Sequence, residues 1–264
     1  MEPVFITNGQ LALTALFVLA AGVLSLRHKL GLERDLLVGA VRTVAQLFIM
    51  GFALKLIFGH AYLPLVVGVF AVMIWFGARI IRGRVKERGV DWFAPTMAAM
   101  YANYFLVTIV VTAVIVQPDP WWKPQYFLPM GGMVVGNSMN ALSISLDRLF
   151  SDLRTRRDEV EMRLALGADM AEASHEIVRG ALKAGMIPSI NSLMGVGLVS
   201  IPGMMTGQIL AGADPMSAIR YQIVIMFMIV GSTALGTYLV VSLARKRCFG
   251  PGLQLVPRPG SGTR

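Results

Sequence analysis

Apolar residues in this chain come in long unbroken runs, with polar and charged residues gathered between the runs. Seven such runs stand out, at 8–26, 36–58, 62–81, 94–116, 126–146, 186–211 and 221–243. Each is roughly 20 residues, the length an α-helix needs to cross a ~30 Å hydrocarbon layer. The pattern predicts an all-α, polytopic membrane protein with about seven transmembrane helices. The first run does not read as a cleavable leader, because Arg27 and Lys29 follow it, whereas a signal peptide carries its positive charge in front.

Charge gives these helices an orientation. With the N-terminus placed outside and the sides alternating, one set of connecting segments collects 20 of the 24 Lys and Arg residues. The opposite loops hold only Lys123 and Arg220, while Arg42 and Lys55 fall within the second run. Basic residues concentrate on the cytoplasmic side of membrane proteins, so the C-terminus is expected there too. The net charge of +9 is therefore a topology signal: the lipid bilayer is the expected partner and nucleic acid is not. Composition agrees, with 15% charged residues against about 25% in a soluble domain. The single cysteine, Cys248, excludes a disulfide framework and any Cys-built metal cluster.

The segments differ in kind. Residues 147–184 are cytoplasmic in this scheme and patterned for helix: Val160, Leu164, Met170, Ile177 and Leu182 alternate with charged positions. One or two amphipathic helices at the membrane surface are expected there. The tail 251–264 is rich in Pro, Gly and Ser and is expected to be disordered, leaving residues 1–250 as one transmembrane domain.

Within the fifth and sixth runs, Gly132-Met133-Val134-Val135-Gly136-Asn137 and Gly203-Met204-Met205-Thr206-Gly207-Gln208 share one pattern, each just after a proline, Pro129 or Pro202. Glycines four apart make a flat helix face that admits close packing. Proline frees a carbonyl and kinks the helix. Either these are packing faces, or they are broken, movable elements lining a pathway. Asn137, Asn140 and Ser143 share one face of the fifth run, and Asn191, Ser192, Ser200, Thr206 and Gln208 mark the sixth. Such groups avoid lipid and are expected to point into the bundle, as is Asn103 of the fourth run. Arg42 and Gln46 lie one turn apart in the second run, with Arg42 about 9 Å from its end. Arg42 either snorkels to the interface or lines a polar route. Met204 and Met205 are ordinary gap-fillers or soft-metal ligands. No phosphate-binding G-x-x-x-x-G-K-[ST] loop occurs, and His175-Glu176 lacks the second histidine of a zinc-protease motif.

The run Ala184-Gly185-Met186-Ile187-Pro188-Ser189-Ile190-Asn191, followed by Gly197 to Leu210 with its Pro-Gly-Met-Met-Thr-Gly core, resembles the FetB-type family of ABC transporter permeases. Ala213-Asp214-Pro215, Tyr221-Gln222-Ile223, Gly136-Asn137-Ser138-Met139 and Ser145-Leu146-Asp147-Arg148-Leu149 extend the likeness over all but the tail. The resemblance implies a non-enzymatic permease subunit in the bacterial inner membrane. It would work as a homodimer with a separate ATP-binding subunit that supplies the ATP site, and no cofactor is expected in this chain. Bacterial members are associated with iron export, and plant relatives with aluminium tolerance and sugar-nucleotide transport. No Asp or Glu lies deep in any run, so no oxygen-ligand site for ferrous iron is visible. The run Glu161 to Ala168 resembles the E-A-A-x-x-x-G coupling segment of ABC permeases: Glu161 and Gly167 match, and Met162 and Arg163 depart.

These readings assign Arg42, Gln46, Asn103, Asn137, Asn140, Asn191, Met204, Met205, Thr206 and Gln208 to a substrate pathway. Glu159, Glu161, Leu164, Gly167 and Asp169 are assigned to ATPase coupling, and Pro129, Gly132, Gly136, Pro202, Gly203 and Gly207 to hinge and packing roles. The alternative class is an ion-gradient-driven carrier for a small polar solute or metal. It lacks the deep acidic residues and the inverted repeat that such carriers use.

Overall fold

The computed structural model describes residues 6–60 and 62–256, and these are almost entirely helical. Two compact units emerge, one made of residues 6–60 with 210–212, the other of 62–209 with 213–256. Among the described residues, five helical stretches are long and apolar enough to cross a membrane: Asn8–Arg27, Glu33–Gly59, Leu63–Arg84, Phe93–Val116 and Pro215–Arg247. Of the other two expected runs, 126–146 lies within the helix Pro124–Thr155, and 186–211 is divided between two helices, His175–Gly195 and Gly203–Leu210.

The first unit is a helical hairpin: α1 (Asn8–Leu13) and α2 (Ala15–Arg27), a turn, then α3 (Glu33–Gly59). Thr7 starts it with a capping box: its Oγ1 accepts from the Gln10 amide at 3.3 Å, and its own amide donates to Gln10 Oε1 at 2.8 Å. Ser25, only 1% exposed, locks the turn by donating to Glu33 Oε1 at 2.8 Å and accepting from the Leu32 amide at 3.0 Å. Ser25 and Ile57 are the only residues buried within these helices, while Phe17, Leu47 and Phe52 stand exposed. A hairpin apolar on every side is stable where lipid is the solvent.

The second unit is built around α6 (Pro124–Thr155), which packs on α4 (Leu63–Arg84), α9 (His175–Gly195) and α11 (Pro215–Arg247). Helix α5 (Phe93–Val110) lies mainly on α11 and runs on as a π-helical turn, Val111–Val116. That turn ends at Gln117, whose φ of +50° is left-handed. Small residues set the crossings. Gly131 leaves no room for a Cβ against the Phe70 ring, and a Cβ at Gly236 would sit 2.8 Å from Asn103 Nδ2. Phe70 stacks edge-on with Phe105 and Phe127, at 4.9 and 5.3 Å between centroids.

Pro129 and Pro188 are carried inside α6 and α9 without a break. Pro129 is the sixth residue of α6, so it leaves the Gln125 carbonyl without its intrahelical donor, yet the helix continues through it. The run expected at 186–211 is interrupted: α9 stops at Gly195, and α10 (Gly203–Leu210) follows a non-helical stretch.

Between α6 and α9 lie two short helices, α7 (Arg157–Ala165) and α8 (Met170–Ala173). After α11 the chain folds back. The Val256 amide donates to the Cys248 carbonyl at 2.8 Å, and Arg157 Nη2 donates to the Leu255 carbonyl at 3.2 Å. Residues 251–256 are thus ordered, contrary to their composition, because Leu255 is buried at 4% exposure. The rest of the expected tail, 257–264, lies outside the described residues. Cys248 is buried too, its thiol bonded to the Ala244 carbonyl, and burial pushes its pKa up.

Candidate functional site

The break after α9 has a defined geometry. Val196 pairs with Ser200, and the Gly197 amide donates to the Ser200 carbonyl at 2.9 Å. Gly197 sits at φ +84°, a conformation glycine supplies without steric cost. Pro202 closes the break, and the Thr206 amide and hydroxyl both return to its carbonyl at 3.1 Å. Beside the break lies a cavity of about 630 Å³, walled by Val196, Ile201, Pro202 and Met205 on one side and Gln222 and Met226 of α11 on the other. Gln222 and Gln208 each hold a buried carboxamide oxygen with no partner among the described residues. Irregular backbone at membrane depth persists where it is buried in protein or lines a cavity.

Several expected pathway residues are placed differently from the sequence reading. Asn137 and Asn140 are exposed, and Asn137 Nδ2 donates to the Met133 carbonyl of its own helix at 2.8 Å. Asn191 and Thr206 are also exposed, and Met204 is half-buried. Asn103 does point inward, donating to the Ser232 carbonyl at 3.0 Å and its hydroxyl at 3.2 Å. The inward face of α6 carries Ser138, Ala141, Leu142 and Ser145 instead. Ser138 meets Thr233 at 3.3 Å across to α11. A spacing of i, i+3, i+6 identifies a shared face but not its direction. The stripe Val134, Ser138, Ala141, Ser145, Leu149 gave the buried face at the same period.

The glycines need a similar correction. A Cβ at Gly136, Gly203 or Gly207 would meet nothing within 4 Å, and at Gly132 only the mobile end of Met73. These positions are not close approaches within the chain. The tightest crossing is at Gly185 on α9, where an added Cβ would overlap Ser145 Oγ and lie 2.7 Å from the Ala141 carbonyl. Arg42 and Gln46 are exposed on α3, in the first unit.

The segment between α6 and α9 is well ordered by its own chemistry. Glu159 accepts from Arg156 at 2.8 and 2.9 Å and from Arg163 at 2.8 Å; the Arg156 bond foremost holds its carboxyl below the usual range. Glu161 pairs with Arg157 at 2.7 Å. Helix α7 ends in a Schellman turn: the Gly167 amide donates to Leu164 and the Ala168 amide to Arg163, with Gly167 at φ +97°. Asp169 then caps α8 by accepting from the Glu172 amide at 2.8 Å. Val160 anchors the element inward at 1% exposure, and Leu164 is half-buried. Leu166 and Met162 project outward at 81% and 56% exposure.

The sequence reading did not find Glu87. Its side chain is 0% exposed and pairs with Arg154 of α6 at 3.0 Å. Its Oε1 accepts from the Gly89 amide at 2.7 Å, and its carbonyl accepts from Trp92 Nε1 at 3.2 Å. The partners lie 67 positions apart in the chain, and no local pattern connects them. Among the described residues, no group of three or more His, Cys, Asp or Glu side chains gathers to hold a metal.

Residues 8–249 match the Uncharacterised protein family UPF0014. A UPF0014 membrane protein of Synechocystis is 37% identical over 86% of this chain and 88% of its own. The Escherichia coli protein named "Probable iron export permease protein FetB" is 32% identical over 95% of both chains. Arabidopsis thaliana contributes "Protein ALUMINUM SENSITIVE 3", 30% identical over 90% of this chain and 86% of its own. No solved structure matches. With a family match across nearly its whole length and several apolar helices long enough to span a bilayer, this chain is a multi-pass membrane protein of the UPF0014 family.

Proposed function

We propose that this chain is the permease subunit of an ABC-type exporter, driven by a separate ATP-binding subunit, with a metal ion, iron, as cargo. The observation that carries the reading is the α7–Gly167–α8 element. It is rigid by its own ion pairs and turn, and it presents Leu166 and Met162 outward from a charged surface. An apolar tip on a stiff polar support is what a groove on a motor subunit can grip. The printed name of the Escherichia coli relative supports iron and export.

In this reading the seven spans place the N-terminus outside and the C-terminus in the cytoplasm, on the strength of the basic-residue asymmetry. Glu159, Glu161, Leu164, Gly167 and Asp169 build the docking element, and ATP stays on the partner. The α9–α10 break with Met205, Gln208 and Pro202 lies on the cargo route. A homodimer accounts for the exposed carboxamides Asn137 and Asn140 beside the open face of Gly136, since such groups at membrane depth favour protein over lipid.

The test is Leu166→Asp in cells that also express the ATP-binding partner subunit. Membrane insertion should persist while co-purification of the ATPase and iron efflux both fall at least tenfold. Undiminished co-purification would remove the docking role. Iron efflux that continues without any ATPase would remove the ABC class.

A further inference from the structure

A second cavity, of about 610 Å³, lies between α9 and α11 away from the break. Its lining divides into two parts. His175, Arg179 and Lys183 of α9 and Arg245 of α11 supply a basic part. Leu182, Met186, Ile187 and Ile190 of α9, with Tyr238 of α11, supply an apolar part. The helices run antiparallel here, so the basic part gathers where α9 starts and α11 ends, beside Lys246 and Arg247.

We propose that this groove holds one anionic glycerophospholipid, its phosphate on Arg179, Lys183 and Arg245 and its acyl chains along Met186, Ile187 and Ile190. Three observations converge on that occupant. First, charge is unbalanced: the acid facing these cations is Glu176, which reaches Arg179 at a loose 3.7 Å with both side chains about half exposed. Such a pair contributes little and leaves the guanidinium available. Second, Arg245 Nε is buried and has no hydrogen-bond partner among the described residues. A phosphate offers two oxygens that the planar guanidinium fork can engage together. Third, the apolar wall stays uncovered, with Ile187 53%, Ile190 40% and Tyr238 59% exposed. A free phosphate would use the cations and leave that wall empty. A lipid uses both, and basic pockets between membrane helices are where acidic headgroups lodge. The site is independent of the cargo and ATPase assignments.

The experiment is native mass spectrometry of the full chain released from nanodiscs containing equal phosphatidylglycerol and phosphatidylcholine. The wild type should retain phosphatidylglycerol at least tenfold over phosphatidylcholine. The double variant Arg179→Gln/Lys183→Gln, at two exposed positions, should lose about tenfold in that preference and retain the two lipids nearly equally, because two juxtamembrane charges are gone. An unchanged melting midpoint will confirm its fold. Equal retention of the two lipids by the wild type, or full retention by the double variant, overturns the proposal. So does displacement of the lipid by millimolar inorganic phosphate, which assigns the site to the free anion. Ile187→Cys supplies the last arm: the native Cys248 is buried, so efficient 187–187 crosslinking would show a second copy seated in the groove and exclude the lipid.

Discussion

Gly185→Ala is a sharp test of how the second unit is held together. The substitution should help the helix in isolation, since alanine gains about 1 kcal/mol over glycine in a helix interior. Tertiary packing opposes it. The new methyl overlaps Ser145 Oγ and stands 2.7 Å from the Ala141 carbonyl, which is backbone and cannot rotate away. Reaching an ordinary contact of 3.4 Å requires α9 to retreat from α6 by more than half an ångström. A gap of that size forfeits about a quarter to a half of each dispersion contact along the crossing. Overpacking of this kind costs about 1–3 kcal/mol; against a backbone atom the upper end applies, so after the helix gain the expected net loss is about 2 kcal/mol, and the midpoint about 5 °C lower. Ser145→Ala alone should be near neutral, because the hydroxyl it removes is buried and unbonded. Combined with Gly185→Ala it should recover about 1 kcal/mol, a coupling expected only for residues in contact. Cys248, fully buried and the chain's one thiol, reports unfolding through a thiol-reactive dye on heating. A Gly185→Ala protein as stable as wild type, or a double variant no better than the single, would refute the crossing.

Glu87→Gln should lower the same midpoint by about 2–3 kcal/mol in stability, because it leaves Arg154 without its buried countercharge; a shift below 1 °C would show the pair to be dispensable. Acidification should loosen α7 selectively. Glu159 has a lowered folded pKa, so its stabilisation is complete above the ordinary carboxylate range and is lost as pH falls through that lowered value. Amide exchange over 157–166, corrected for intrinsic rate, should rise across that window and stay flat in Glu159→Gln. Gly197→Ala should raise the energy of the observed break by about 1–2 kcal/mol through its left-handed φ alone, since the added methyl meets nothing within 4 Å. Transport should change about tenfold while ATPase co-purification holds, and unaltered efflux would exclude the break as a moving part.

Helices, membrane placement and the turn at Gly167 were legible because each rests on local chemistry. Apolar runs need a bilayer, Pro202 must interrupt a ladder, and Gly167 accepts a positive φ. Orientation within the bundle was not legible. Asn137 and Asn140 were read inward on the rule that polar groups leave lipid, yet that rule does not say whether the shelter is the same chain or a second copy. Among 27 glycines, only the fold selects Gly185 and Gly131 as contact points and leaves Gly136, Gly203 and Gly207 in open space. The Glu87–Arg154 pair joins distant segments. The order of residues 251–256 depends on a pocket for Leu255 that composition cannot reveal.

The position of the break follows from what surrounds it. A single residue, Arg156, separates α6 from α7, and Ser174 alone separates α8 from α9. The α7–α8 segment is therefore flanked by long helices with no slack on either side. On the proposed reading, a push at Leu166 is resisted along α6, which Glu87 clamps near Arg154 and Phe70 backs at Gly131. It passes instead into α9, pinned to α6 at Gly185 and free of helical bonding beyond Gly195. On the same reading strain collects where the backbone ladder is already missing, so motion is expected at 196–202 rather than at Pro129, inside α6. Substitutions at Gly197 and Pro202 should therefore alter transport far more than any at Pro129, and an equal effect at all three would place the compliance elsewhere.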